Sequence, residues 1–240
     1  VEKINACIVS FFMGNVNPKT AQLQRQVVDK FNVSKYPHYS IQTNILPGPM
    51  MDYVWCMNGQ NTGTFKDPIE KKMDHDVIFF LDIDAVPLSE TAIDLIIAAA
   101  AQGNLVGNIQ RSGHIDNKQH VFAAPSCVAL HKDVFTKIGM PSAVPNTRGD
   151  VCEEWTFKAE ENNVPVVLLM PSKFDAPPIR MDWEKDAEPF WRLADNMPNY
   201  GIGTTFGDDK GNDMFYHNFQ IFHPGQQERF WTKCESLLKV

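Results

Sequence analysis

The run Asp76-Val77-Ile78-Phe79-Phe80-Leu81-Asp82-Ile83-Asp84 constrains this chain more than any other stretch. From Val77 to Leu81 it has no polar face, which predicts a strand buried on both sides, as in the middle of a mostly parallel α/β sheet with helices on both faces. The apolar run stops at two acids. Side chains at i and i+2 of a strand share a face, so Asp82 and Asp84 are expected to converge at the carboxyl end of a central strand, where open α/β sheets bind ligands. Folding alone does not favour two like charges there. A cation or a shared proton must compensate them, and a divalent metal ion is the expected cation.

Around this run the chain alternates strand and helix signals. Ala6 to Phe12 reads as a buried strand, followed by a loop with Gly14, Asn15 and Asn17. Asn17 caps a helix with Pro18 in its first turn, and Leu23, Val27 and Phe31 recur at helical spacing. Ser40 to Leu46 is a second expected strand, and Met51 to Lys72 gives no assignable pattern. After Asp84, Pro87 is expected to turn the chain, with Ser89 capping a helix that runs to Gly103. Leu105 to Ile109 and His120 to Leu130 read as strands, and His131 to Ile138 as a short helix stopped by Gly139. A helix through Trp155 and Ala159 and a strand from Val164 to Met170, stopped by Pro171, come next. Residues 172–213 show little periodicity and read as a long functional loop. Met214 to Phe222 alternates like a strand, and Phe230, Cys234 and Leu238 mark a final helix.

The 240 residues and their 43% hydrophobic share suit one α/β domain, residues 1–240. A net charge of −7 without a Lys/Arg cluster argues against a general nucleic-acid surface. No stretch reaches the roughly 20 apolar residues of a membrane span. The five cysteines, Cys7, Cys56, Cys127, Cys152 and Cys234, are scattered among apolar neighbours, which predicts reduced core thiols and a cytoplasmic protein.

Several segments in order resemble a glycosyltransferase of the GT-A fold. Phe79-Phe80-Leu81-Asp82-Ile83-Asp84 looks like that family's Asp-x-Asp motif in its usual setting. Phe122 to Phe135, followed by Ile138-Gly139, is similar to the family's acceptor-side strand and short helix. Glu153-Glu154 at a helix start, followed by Val164 to Pro171, is similar to the acidic pair, helix and strand of inverting members. The resemblance covers most of residues 76–171. It implies a Rossmann-like nucleotide-binding sheet, with residues 1–110 as the nucleotide-sugar and metal half and 111–240 as the acceptor half. It further implies a nucleoside diphosphate sugar as donor, UDP being the commonest base. Asp82 and Asp84 then bridge Mn²⁺ or Mg²⁺ to the diphosphate. A third metal ligand is expected from the C-terminal part, His217 first and His223 second. Glu154 matches the family's catalytic base best, with Glu153 and Asp150 as neighbours able to hold the role, although the family often has Asp where Glu154 stands. Asn15 and Asn17, at the sheet's carboxyl edge, are candidates to contact the nucleotide. The acceptor is open: a glycan, a lipid-linked sugar, a protein or a modified nucleobase.

Other readings compete. Glu153 and Glu154 also suit a helix's first turn simply as acids facing its dipole. Asp82-Ile83-Asp84-Ala85-Val86 formally resembles the haloacid dehalogenase phosphatases, with Asp82 as nucleophile, Asp84 as acid/base and Gly207-Asp208-Asp209 through Asp213 as the distal acidic motif. That nucleophile normally ends the first strand of its domain, yet strand-like runs precede Asp82 here. A catalytically silent domain that binds a sugar nucleotide or glycan is the third reading. Trp183, Phe190, Trp191 and Tyr200 would stack on a sugar or, as the preferred expectation, anchor the long loop.

Overall fold

The computed structural model describes residues 4–43, 57, 74–113, 120–179 and 191–239. The expected strand end at 44–46, the unassigned segment apart from Met57, Cys56, Trp183 and Phe190 lie outside the described residues. At the centre is a nine-stranded sheet in the order β2-β1-β3-β6-β5-β7-β10-β11-β4. β1 (Ala6–Met13) pairs in parallel with β2 (His38–Thr43) and with β3 (Val77–Leu81). β6 (Val121–His131) lies antiparallel between β3 and β5 (Leu105–Arg111), and β7 (Val166–Lys173) runs parallel to β5. β10 (Thr204–Gly207), β11 (Asp213–His217) and β4 (Ala85–Pro87) complete the sheet antiparallel. The α/β class is as the sequence predicts, with its parallel pairing confined to β2-β1-β3 and to β5-β7.

β3 is buried along its length because each of its faces meets a different core. Val77, Phe79 and Leu81 pack with Ile93, Ile96 and Ile97 of α2 (Ala92–Ala101). Ile78 and Phe80 turn to the other face, against Phe135 of α3 (Lys132–Lys137) and Trp155 of α4 (Glu153–Glu161). A third cluster joins Leu23 and Val27 of α1 (Pro18–Phe31) to Phe230 and Cys234 of α5 (Gln226–Lys239). Asn17 caps α1 as expected, its side-chain oxygen accepting the Lys19 N–H at 2.9 Å. Cys7, Cys127, Cys152 and Cys234 are free and buried, and burial pushes the Cys7 thiol up to about 12. Among the described residues no helix is long and apolar enough to cross a membrane.

Four local expectations are corrected. α2 starts at Ala92, and its cap residue Thr91 makes no side-chain capping bond; the Ala92 N–H instead donates to the Ser89 carbonyl and closes a turn ahead of the helix. β7 runs past Pro171 to Lys173, since the pairing with β10 is irregular between Thr205 and Phe206, next to the pair formed by Phe206 and Pro171, which has no N–H to donate. Residues 172–213 are not one long loop: β8 (Trp191–Arg192), β9 (Asn199–Tyr200) and β10 lie within them. These strands are too short for periodicity to reveal. β11 ends at His217, not Phe222, because Phe219 and Gln220 take positive φ angles of 59° and 47° that no strand accommodates.

β4 is the unforeseen element. Only the turn Asp82-Ile83-Asp84 separates it from β3, yet it pairs at the opposite edge of the sheet. So short a link forces the far edge to curl back toward β3. The sheet thereby wraps around one core and brings β11 beside the acids.

Candidate metal centre and adjoining cleft

The carboxylates converge through a turn, where a continued strand was expected. The Ala85 N–H donates to the Asp82 carbonyl at 2.9 Å, closing the turn Asp82-Ile83-Asp84-Ala85, with Ile83 buried inside it. The Asp82 N–H donates to the Ser126 carbonyl at 3.0 Å, which fixes the first acid to β6. β11 fixes the second: His217 stands opposite Ala85, and the Asn218 N–H donates to the Asp84 carbonyl at 2.9 Å. His217 Nε2 consequently lies 3.2 Å from Asp84 Oδ1 and 3.9 Å from Asp82 Oδ2.

One ligand atom from each of Asp82, Asp84 and His217 falls within 4.8 Å of the other two. Asp84 and His217 are buried, at 5% and 6% exposure, while the Asp82 side chain is 34% exposed, so the cluster opens to solvent on the Asp82 side. Burial by itself would lower the His217 imidazole, but the charge and hydrogen bond of Asp84, helped by Asp82, outweigh it and raise the group above its ordinary value. Two acids and an imidazole around one point make a donor set that fits Mn²⁺ or Mg²⁺, the nitrogen favouring manganese. His223 does not join it. His223 lies in the turn before α5, its backbone bonded to Gln220 and Gln226.

A buried polar chain supports the turn from below, and the sequence carried no periodic or motif signal for it. Gln24 Nε2 donates to Ser10 Oγ at 2.9 Å, and Ser10 Oγ meets His38 Nε2 at 3.1 Å. The same Gln24 amide lies 3.5 Å from the carbonyls of Asp82 and Ala85. Burial pushes the His38 imidazole down to about 4, so this chain is uncharged. Asn17 holds the start of α1, and Asn15 is exposed beside it.

The three acids expected on the acceptor side have separate surroundings. Glu154 accepts from Arg148 Nε at 2.9 Å, Arg148 Nη2 at 2.7 Å and Asn146 Nδ2 at 3.0 Å, and these bonds hold its carboxyl below the usual carboxylate range. It lines an open cavity of about 550 Å³ with Lys137, Ser142 and Lys158. Glu153 is fully buried, and its Oε2 accepts from Ser112 Oγ and the Asp150 N–H, each at 2.6 Å. Its Oε1 meets His120 Nδ1 at 2.5 Å. Asp150 accepts the Gly113 N–H at 3.1 Å and its charge acts on Tyr200. Gly113 and Tyr200 line a second cavity, about 320 Å³, with Gln110, Arg111, Ser112, Trp191 and Phe219. The Phe219 ring also packs on His217, centroid to centroid at 3.8 Å. Phe219 thus links the Asp82–Asp84–His217 cluster to a cleft whose lining residues Ser112 and Gly113 are bonded to Glu153 and Asp150, and Glu154 faces another cavity.

The distal acids of the phosphatase reading are engaged elsewhere. Asp208 accepts from the Lys210 and Asn212 N–H groups in a tight turn, and Asp213 pairs with Lys173 at 2.6 Å.

No protein-family model matches the chain, and no curated protein does. Among solved structures, the chain is similar to the catalytic domain of Drosophila beta1,4galactosyltransferase 7 in complex with xylobiose, at 12% identity over 95% of this chain and 79% of that chain, TM-score 0.49. A mutant of that enzyme in complex with manganese, UDP-Gal and xylobiose is similar at 11% identity over 93% of this chain and 79% of that one, TM-score 0.45. A glycosyltransferase involved in glycosylation of the major capsid of PBCV-1 is similar at 12% identity over 54% and 62%, TM-score 0.35. All three are glycosyltransferases. All three also fall below a TM-score of 0.5, so the functional reading rests on this chain's own residues.

Proposed function

We propose that the chain is a metal-dependent glycosyltransferase that moves a sugar from a nucleoside diphosphate sugar to an acceptor hydroxyl. The convergence of Asp82, Asp84 and His217 beside a polar and aromatic cleft carries this reading. These residues would hold Mn²⁺ or Mg²⁺, which would supply neutralising charge to the departing diphosphate. One similar structure is a galactosyltransferase in complex with UDP-Gal, and a UDP-sugar is the donor proposed here. Asn15, exposed after β1, is the asparagine proposed to contact the nucleotide, since Asn17 is engaged in capping.

The base we propose is Asp150. Glu153 and Asp150 are each bonded to a residue lining the cleft, Ser112 and Gly113, but Glu153 is fully buried with its carboxylate taken up by Ser112, His120 and the Asp150 N–H, whereas Asp150 is half-buried. Its carboxylate takes the acceptor hydroxyl proton as the acceptor oxygen bonds to the sugar's anomeric carbon, and the nucleoside diphosphate departs with the electron pair. Attack opposite the leaving group inverts the anomeric centre. A cytoplasmic setting is proposed with it, consistent with the free, buried thiols.

The discriminating assay offers UDP-hexoses and p-nitrophenyl phosphate to the protein with Mn²⁺. The expected outcome is slow release of UDP and sugar, without phosphate-ester hydrolysis. Phosphatase turnover lost in Asp82→Asn would overturn the proposal.

A further inference from the structure

The cleft beside the metal cluster has a composition of its own. One wall is aromatic: Trp191 and Tyr200 have ring centroids 5.3 Å apart, Trp191 and Phe219 5.2 Å, and Tyr200 and Phe219 5.8 Å. The rings are tilted to one another by 42°, 63° and 50°, so they form a cup instead of a parallel slot. Trp191 is half-buried, whereas Tyr200 and Phe219 are buried behind it. The facing wall is polar, made of Gln110, Arg111 and Ser112 at the end of β5, with Asp150 bonded to the next residue, Gly113. Space there is kept by sequence: a Cβ on Gly113 would meet Asp150 Oδ2 at 2.7 Å.

We infer that this cleft is the acceptor subsite and that the acceptor is a pyranose, the end of a glycan. The inference rests on the glycosyl-transfer reading above. A pyranose has a face of C–H groups and a rim of hydroxyls, and it is thick. The C–H face carries partial positive charge and suits the negative face of an indole, and the hydroxyl rim suits Gln and Arg side chains, which offer several donors. A flat nucleobase prefers stacking on parallel faces, which the tilted rings do not present. An alkyl chain offers no hydrogen-bonding group to the Gln110 and Arg111 side chains. At about 320 Å³ the cleft is at the small end of ligand pockets, enough for a terminal sugar unit. Asp150 adjoins this subsite through its bond to Gly113, and the Asp82–Asp84–His217 cluster adjoins it through the contact of the His217 and Phe219 rings.

The test uses the full chain with tryptophan indoles labelled by nitrogen-15, with UDP and diamagnetic Mg²⁺ present. Trp191→Phe identifies the Trp191 indole resonance. Methyl pyranosides of glucose, galactose, xylose and N-acetylglucosamine are added in turn, beside hexanol and 5-hydroxymethylcytosine. At least one pyranoside is expected to shift the Trp191 resonance saturably, with hexanol and the base leaving it in place, and Trp191→Ala should weaken that pyranoside at least tenfold in ligand-observed saturation transfer. The acceptor assignment is overturned if no pyranoside shifts Trp191, if hexanol or the base does so instead, or if a UDP-hexose without pyranoside gives the same shift, which would make this the donor sugar's place. UDP affinity with and without Mg²⁺, read on the same samples, separates a failure of the cleft assignment from a failure of the metal reading.

Discussion

Asp84 is held in place by its backbone and buried by its side chain, where, without a bound cation, its repulsion from Asp82 offsets its attraction to His217. Asp84→Asn should therefore cost under about 1 kcal/mol in EDTA, yet remove the rise in melting temperature that Mn²⁺ with UDP gives the native chain. Thermal melts in both buffers check this. At the acceptor side, removing a general base costs about 10²–10⁴ in rate. Asp150→Asn should show that loss in donor turnover, and Glu154→Gln should not. Glu154 has a structural part instead. Its folded pKa is depressed by the Arg148 ion pair and bonds. The stability it contributes is thus present above its unfolded pKa, about 4.3, and is lost as pH falls through the lower folded value. Chemical denaturation of Glu154→Gln against the native chain should show a deficit of roughly 0.5–1 kcal/mol at pH 7, for a pair open to solvent on the arginine side, and a shrinking deficit below about pH 4.

At the scale of elements, β4 and β11 form a clasp. Their pairing sets His217 opposite Ala85 and so carries an imidazole from the far end of the sequence to the acids. The sequence made β3 and its acids legible because five consecutive buried residues leave a pattern that local physics explains. His217 was legible only as an isolated histidine, because the register of two short strands distant in sequence selects it over His223. β4 was hidden, since three residues ending in proline resemble a turn. Adjacency in sequence did not reveal the surroundings of the acids: Glu153 and Glu154 stand in one helical turn, and neighbours there point in different directions, one into the Ser112–His120 cluster and the other to Arg148. Gly203 locks the clasp's neighbourhood. It has φ +69°, and a Cβ there would meet Asp175 Oδ2 at 2.2 Å and the Tyr216 hydroxyl at 2.7 Å, the pair that share a 2.9 Å bond. Gly203→Ala should cost roughly 1–2 kcal/mol in backbone conformation and more through that bond, as read by urea unfolding. On the other face, Trp155 is fully buried, packs on Phe80 and Phe135, and donates Nε1–H to the Pro141 carbonyl at 3.0 Å. Trp155→Ala should cost about 3–5 kcal/mol.

Over the whole molecule, one curled sheet joins the half that carries the acids to the half that carries the imidazole, the aromatic cup and Asp150. The curl follows from the short turn between β3 and β4, and the cleft lies where the sheet returns on itself. Binding of nucleotide and metal should therefore stabilise both halves together. At ligand concentrations about 100 times Kd the gain is about 2.7 kcal/mol, which for a chain of this size raises Tm by roughly 5–10 °C in a single transition.

The most direct measurement is calorimetric titration of UDP into the native chain, in Mn²⁺ and in EDTA, repeated with Asp84→Asn and His217→Ala. If Asp82, Asp84 and His217 hold the ion that neutralises the diphosphate, UDP should bind at least tenfold more tightly in Mn²⁺ than in EDTA, and either substitution should abolish that difference while the weak metal-free binding persists. Equal UDP affinity in Mn²⁺ and EDTA, or a manganese effect that survives both substitutions, would contradict the account.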